Sequence, residues 1–130
     1  MNTVTYPFNI TGVVKPFSGN GREFGYPTAN IDVPASTPEG IFAGWTLLGG
    51  KKLASVQFIG QPVTMGETIK RAESHIFDFE DRDLYGEIIE MEVLKKLRDS
   101  IKFDSADELL KQMKKDETAA RLYFKQLGEI

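Results

Sequence analysis

The strongest constraint on this chain is its punctuation. Between Phe8 and Leu94, glycine and proline cut the sequence into short apolar or alternating segments, mostly of strand length and too short for packed helices. Phe8, Ile10, Gly12 and Val14 alternate with Asn9, Thr11 and Val13, so Phe8 to Lys15 is expected as a strand. A loop from Pro16 to Pro27 follows, then a strand from Thr28 to Val33 and a loop from Pro34 to Glu39. Gly40 to Leu48 and Leu53 to Ile59 read as a hairpin across Gly49, Gly50, Lys51 and Lys52. Gln61 to Lys70 is expected as loop. Ala72 to Phe79 returns to period two, with Glu73, His75, Phe77 and Phe79 on one face, and Leu84 to Leu94 completes the β portion.

The pattern changes at Ser105. Ser105-Ala106-Asp107-Glu108 matches a capping box, in which the hydroxyl accepts from an early amide and the glutamate reaches back. Leu109, Leu110 and Met113 supply an apolar stripe, Lys114-Lys115 suit a C-terminal end, and Asp116 suits the start of a further turn carrying Ala120, Tyr123, Phe124 and Leu127. One bent helix and two short helices fit equally. Five or six short antiparallel strands with one terminal helical segment cannot leave sheet edges bare, so a closed or nearly closed small barrel is the economical architecture.

Composition narrows the functions open to such a barrel. The 130 residues make one ordinary domain, able to bury about two-thirds of the surface its unfolded chain exposes. Sixteen basic against nineteen acidic residues give a net charge of -3 with no basic stripe, which argues against gripping a nucleic-acid backbone but leaves room for a local phosphate pocket. The absence of cysteine removes disulfides, thiolate metal sites and a cysteine nucleophile. A single histidine, His75, removes multi-histidine metal sites, and that residue reads as structural. No secretion signal or membrane-length apolar run is seen, so a cytoplasmic protein without membrane attachment is expected.

The stretch Gly19 to Asn30 carries the most chemistry. Its glycines permit backbone conformations that aim successive amides into one concavity, and Arg22 adds a charge suited to phosphate oxygens. It is neither a Walker A loop nor a Rossmann fingerprint, and on local composition alone a glycine-rich hairpin turn is the favoured reading.

Taken together, Gly12-Val13-Val14, Gly21-Arg22, Gly25-Tyr26-Pro27-Thr28-Ala29-Asn30, Glu73-Ser74-His75-Ile76, Asp83-Leu84-Tyr85-Gly86 and Leu97-Arg98 resemble the riboflavin kinase family in order and spacing. Gly40-Ile41-Phe42, Phe103-Asp104-Ser105 and Asp116 extend the resemblance over nearly the whole chain. It implies a mainly β fold, a six-stranded antiparallel Greek-key β-barrel with a C-terminal α-helical segment. It also implies an ATP:riboflavin 5′-phosphotransferase that uses Mg²⁺ with ATP and yields FMN. Carried over residue by residue, Gly19, Gly21 and Arg22 meet the phosphates, Thr28 and Asn30 meet both metal and ATP, and Glu73 is the catalytic base. Ile76, Asp78 and Tyr85 lie near the nucleotide's adenine and ribose, and Arg98 and Phe103 hold the flavin.

The chain departs from the family at Pro16-Phe17-Ser18, where a further glycine is usual, which puts the path of the nucleotide loop in question. Many bacterial relatives join this domain to an FMN adenylyltransferase domain. The expectation is therefore a monomer acting on small molecules, or one part of a larger FAD synthetase. A flavin- or nucleotide-binding barrel without catalysis and a small interaction barrel are the rival readings; assays with riboflavin and ATP separate them.

Overall fold

The structure is a computed structural model. It describes residues 4–15, 28–60, 70–78 and 84–128. Among the described residues there are six antiparallel strands, β1 (Phe8–Val13), β2 (Thr28–Val33), β3 (Gly40–Leu48), β4 (Lys51–Gly60), β5 (Lys70–Ile76) and β6 (Ile88–Arg98), followed by a C-terminal helix, α1 (Ala106–Gln126). They form one sheet in the order β1-β6-β3-β4-β5-β2. Strands β3, β4 and β5 are consecutive neighbours and β6 returns beside β3, which is the Greek-key connection.

The two outermost strands meet to make a nearly closed barrel, and glycine permits the approach. A Cβ on Gly12 would come within 2.9 Å of Ile31 Cβ, so only a residue without a side chain lets β1 lie over β2. Past the end of β1 the chain changes partner: Val14 N–H donates to Glu87 O at 2.9 Å, and Lys15 N–H donates to Asn30 O at 2.8 Å. Lys15 is thus not the last residue of the first strand but the stitch that closes the seam.

Other boundaries move for local reasons. Gly49 and Gly50 have φ of 55° and 80°, so the hairpin turns in two residues and β4 begins at Lys51 rather than Leu53. Strand β5 spans Lys70 to Ile76 instead of starting at Ala72; Asp78, at φ 53°, lies in the left-handed region and is no longer extended. Phe79 and Gly19 to Pro27 lie outside the described residues. Strand β6 starts four residues later than expected and runs on through two lysines to Arg98. Its pairing with β3 shifts register between Ile41 and Phe42 and between Ala43 and Gly44. At those bulges Leu97 and Leu94 pack outward, toward the helix.

Among the described residues two apolar clusters result. Inside the barrel are Ile31, Phe42, Ile59, Ile76, Ile89, Met91 and their neighbours. Outside it, Ile41, Ala43, Trp45 and Val56 receive Ala120 and Phe124 of α1, with the Trp45 and Phe124 rings 4.7 Å apart. The helix is single and unbroken: Lys114 and Lys115 are exposed mid-helix residues, and Asp116 is buried rather than capping. No helix among the described residues is long and apolar enough to cross a membrane.

At the start of α1, Ser105 Oγ accepts the Glu108 N–H at 3.2 Å. Ser105→Ala is expected to destabilise the protein by about 1 kcal/mol, the usual loss of an N-cap oxygen, read as a lower midpoint in urea with an unchanged slope.

Candidate active site

Directly opposed residues in antiparallel strands project to the same face, so register alone places the candidate residues. Asn30 pairs with Glu73 and Thr28 with His75 across β2 and β5. Glu73 in turn pairs with Phe58, and His75 with Val56, across β5 and β4. Ala29, Ile31, Ala72 and Ile76 fill the barrel; the alternating set of Thr28, Asn30, Glu73 and His75 therefore lies on the outer face. Thr28 and Asn30 are nonetheless 9% and 7% exposed.

The outer row through Glu73 continues across the barrel. Phe58 pairs with Ile41, and Ile41 with Arg98, giving the sequence Asn30, Glu73, Phe58, Ile41, Arg98 on five neighbouring strands. Three inter-strand steps separate Glu73 from Arg98, or about 14 Å along the sheet. Arg98 is held firmly. Its Nε and Nη2 donate to Asp116 Oδ1 and Oδ2, each at 2.8 Å, and Nη1 donates to Asp99 O at 3.0 Å. The guanidinium lies 5.9 Å from the ring centre of Phe103. The two residues expected at the flavin are thus neighbours of each other, at the far end of the row from the acid.

Glu73 bonds to the imidazole of His75 through Oε1 and Nε2 rather than pairing with Lys70 or Arg71. Lys70 instead donates to Thr37 O at 2.6 Å, and Arg71 lies 3.7 Å from Asp32. That histidine contact is the feature sequence reasoning missed. The i, i+2 spacing on a strand signals a shared face, but not which side chain bends toward which.

The remaining candidates are more scattered. Ile76 has its side chain in the barrel core, so only its backbone is offered to a ligand. Asp78 receives both Nη atoms of Arg121 from α1 at 3.2 Å, and this hydrogen-bonded pairing holds its carboxyl below the ordinary value. Arg121 also lies 4.4 Å over the Phe77 ring. Tyr85 sits on an exposed turn whose Gly86 N–H donates to Val14 O, one residue from the Lys15 stitch to Asn30. Gly19, Gly21 and Arg22 lie outside the described residues.

The donor set suits a hard cation shared with a ligand. A threonine hydroxyl, an asparagine carbonyl and a carboxylate are oxygen donors on adjacent strands, while no group of three or more His, Cys, Asp or Glu side chains gathers among the described residues. Mg²⁺ is usually held in this way, by one or two protein oxygens and substrate phosphates. The fold and this polar row define a small Greek-key barrel with oxygen donors and one carboxylate on a shared outer face, groups of the kind that phosphoryl transfer, which asks mainly for alignment and charge stabilisation, can use.

Comparison with known proteins narrows that class. Residues 4–124 match the Flavokinase family, riboflavin kinase. The chain is 38% identical over 122 residues to the bifunctional riboflavin kinase/FMN adenylyltransferase of Escherichia coli K12, covering 92% of this chain and 39% of that protein. It is 35% identical over 121 residues to the RNA-binding riboflavin kinase RibR of Bacillus subtilis, covering 92% and 52%. It is likewise 35% identical to the trifunctional protein RibF/MnmA of Mycoplasmoides gallisepticum, covering 91% of this chain and 18% of that one. Among solved structures, one described as a macrolide-efflux protein from Streptococcus pneumoniae matches with a TM-score of 0.76 and 34% identity, over 88% of this chain and 38% of that chain. The chain belongs to the riboflavin kinase family. It spans about half or less of the length of these relatives.

Proposed function

We propose that the chain transfers the γ-phosphate of ATP to the 5′-hydroxyl of riboflavin, releasing FMN and ADP. The observation that carries this reading is the outer row from Asn30 and Glu73 to Arg98. Riboflavin is an elongated molecule with a flat ring at one end and a primary alcohol at the other. A guanidinium beside a phenyl ring suits the flat end, and a carboxylate beside oxygen donors suits the alcohol and the phosphate it attacks.

In this reading Glu73 accepts the proton of the 5′-hydroxyl as that oxygen bonds to the γ-phosphorus and the bond to the β-phosphate oxygen breaks. Thr28 and Asn30 would hold Mg²⁺, which when bound would neutralise charge on the triphosphate. Phosphoryl transfer asks mainly for alignment and charge stabilisation, so a rigid sheet face is an apt platform.

Incubating the purified chain with riboflavin, ATP and Mg²⁺ is expected to give FMN and ADP in equal amounts, resolved by chromatography. Removing Mg²⁺ with a chelator should abolish both products. Riboflavin binding without FMN in the presence of ATP and Mg²⁺ overturns the reading in favour of a binding barrel.

A further inference from the structure

His75 is the only histidine of the chain, and nothing in the reaction as described uses it. It is 4% exposed, yet it is not merely a core residue, because it lies on the outer face with Thr28 opposite it on one side and Val56 on the other. Its ring lies 4.3 Å from the ring of Phe58, tilted by 42°. Phe58 is also the strand neighbour of Glu73, so one aromatic ring supports the histidine beneath the acid it touches. Nε2 of His75 bonds to Oε1 of Glu73. An ionised carboxylate only accepts, so Nε2–H is the donor.

A glutamate at a strand surface ordinarily samples several rotamers. Here one of its oxygens is tied to a ring that packing has already immobilised. The carboxylate is thereby fixed in position and in rotation, with Oε2 left to meet a hydroxyl. We infer that His75 is a positioning residue, which orients Glu73 for proton acceptance and acts on the reaction only through that side chain. This rests on the phosphotransfer reading above.

The test uses His75→Phe, which keeps a flat ring against Phe58 but has no donor, and His75→Gln, which restores an N–H. Each is made in the wild-type chain and in Glu73→Gln. Loss of orientation is expected to lower kcat for FMN formation in His75→Phe by about 10- to 100-fold, with both KM values changed by less than about threefold. His75→Gln should recover most of that loss. In the Glu73→Gln background, His75→Phe should cause no further loss, because the group it orients is already gone.

Wild-type kcat in His75→Phe overturns the proposal, as does an equal additional loss in the Glu73→Gln background. A wild-type chain that makes no FMN overturns the reading beneath it, and this inference with it. A measurement on the unmodified chain guards against variants that fail to fold. As the sole histidine, His75 gives one unambiguous pair of ring ¹⁵N resonances, and these should report a protonated Nε2. A neutral ring protonated only at Nδ1 overturns the assignment.

Discussion

Glu73→Gln is expected to slow FMN formation by about 10²–10⁴-fold, the usual range for losing a positioned general base. The substitution keeps length and shape, and the new amide oxygen can still accept from His75 Nε2–H, so the ladder of β5 against β2 and β4 should persist. The side chain sits on the outer face rather than in the barrel core, and no cavity is created by the change. Thermal midpoint and both KM values should therefore stay close to those of the unsubstituted chain, with the loss confined to kcat. A residual rate is also expected, because alignment of the two substrates and neutralisation of the triphosphate do not depend on the proton acceptor. Riboflavin-dependent ADP release followed at saturating substrates measures the effect. Turnover near that of the unsubstituted chain would remove Glu73 from the role of base, and the oxygen donors at Thr28 and Asn30 would then have no acid to serve.

The parts of this architecture that depend on local patterning were readable in the residues. Alternation marks β1 and most of β5, the paired glycines mark the β3 to β4 turn, and Ser105 marks the start of α1, since each signal is satisfied within a few residues. Errors arose where a distant partner decides. Lys95 and Lys96 look like the end of a strand, yet β6 continues through them because β3 supplies the hydrogen bonds and the bulges turn Leu94 and Leu97 toward α1. Asp116 looks like a helix start, yet the helix runs through it because Arg98, eighteen positions earlier, satisfies its carboxylate from outside. The candidate site divides the same way. Period two predicts that Glu73 and His75 share a face, but the row joining Asn30 to Arg98 is a matter of register among five strands, which only non-local pairing sets.

Arg98→Ala should destabilise the fold by about 3–5 kcal/mol, the range found when one member of a buried ion pair is removed and the other is left behind. Asp116 is 3% exposed and would keep only the Gln112 amide, at 3.1 Å, to offset its burial. The same substitution removes a ring contact beside Phe103, so activity alone cannot separate a structural arginine from one that meets the flavin. Replacing both partners separates them. Arg98→Met with Asp116→Leu removes the stranded charge and fills the space with apolar atoms, so stability should return to the starting value or exceed it. If the guanidinium also stacks on the isoalloxazine, the stable double variant should still show a riboflavin KM raised by about two- to thirtyfold, matching the ~0.5–2 kcal/mol of a cation over a ring. Urea unfolding and a riboflavin titration on the same preparations give both numbers. A double variant with restored stability and unchanged riboflavin KM would make Arg98 solely the clamp that holds α1 to the barrel, and the flavin end of the row would then rest on Phe103.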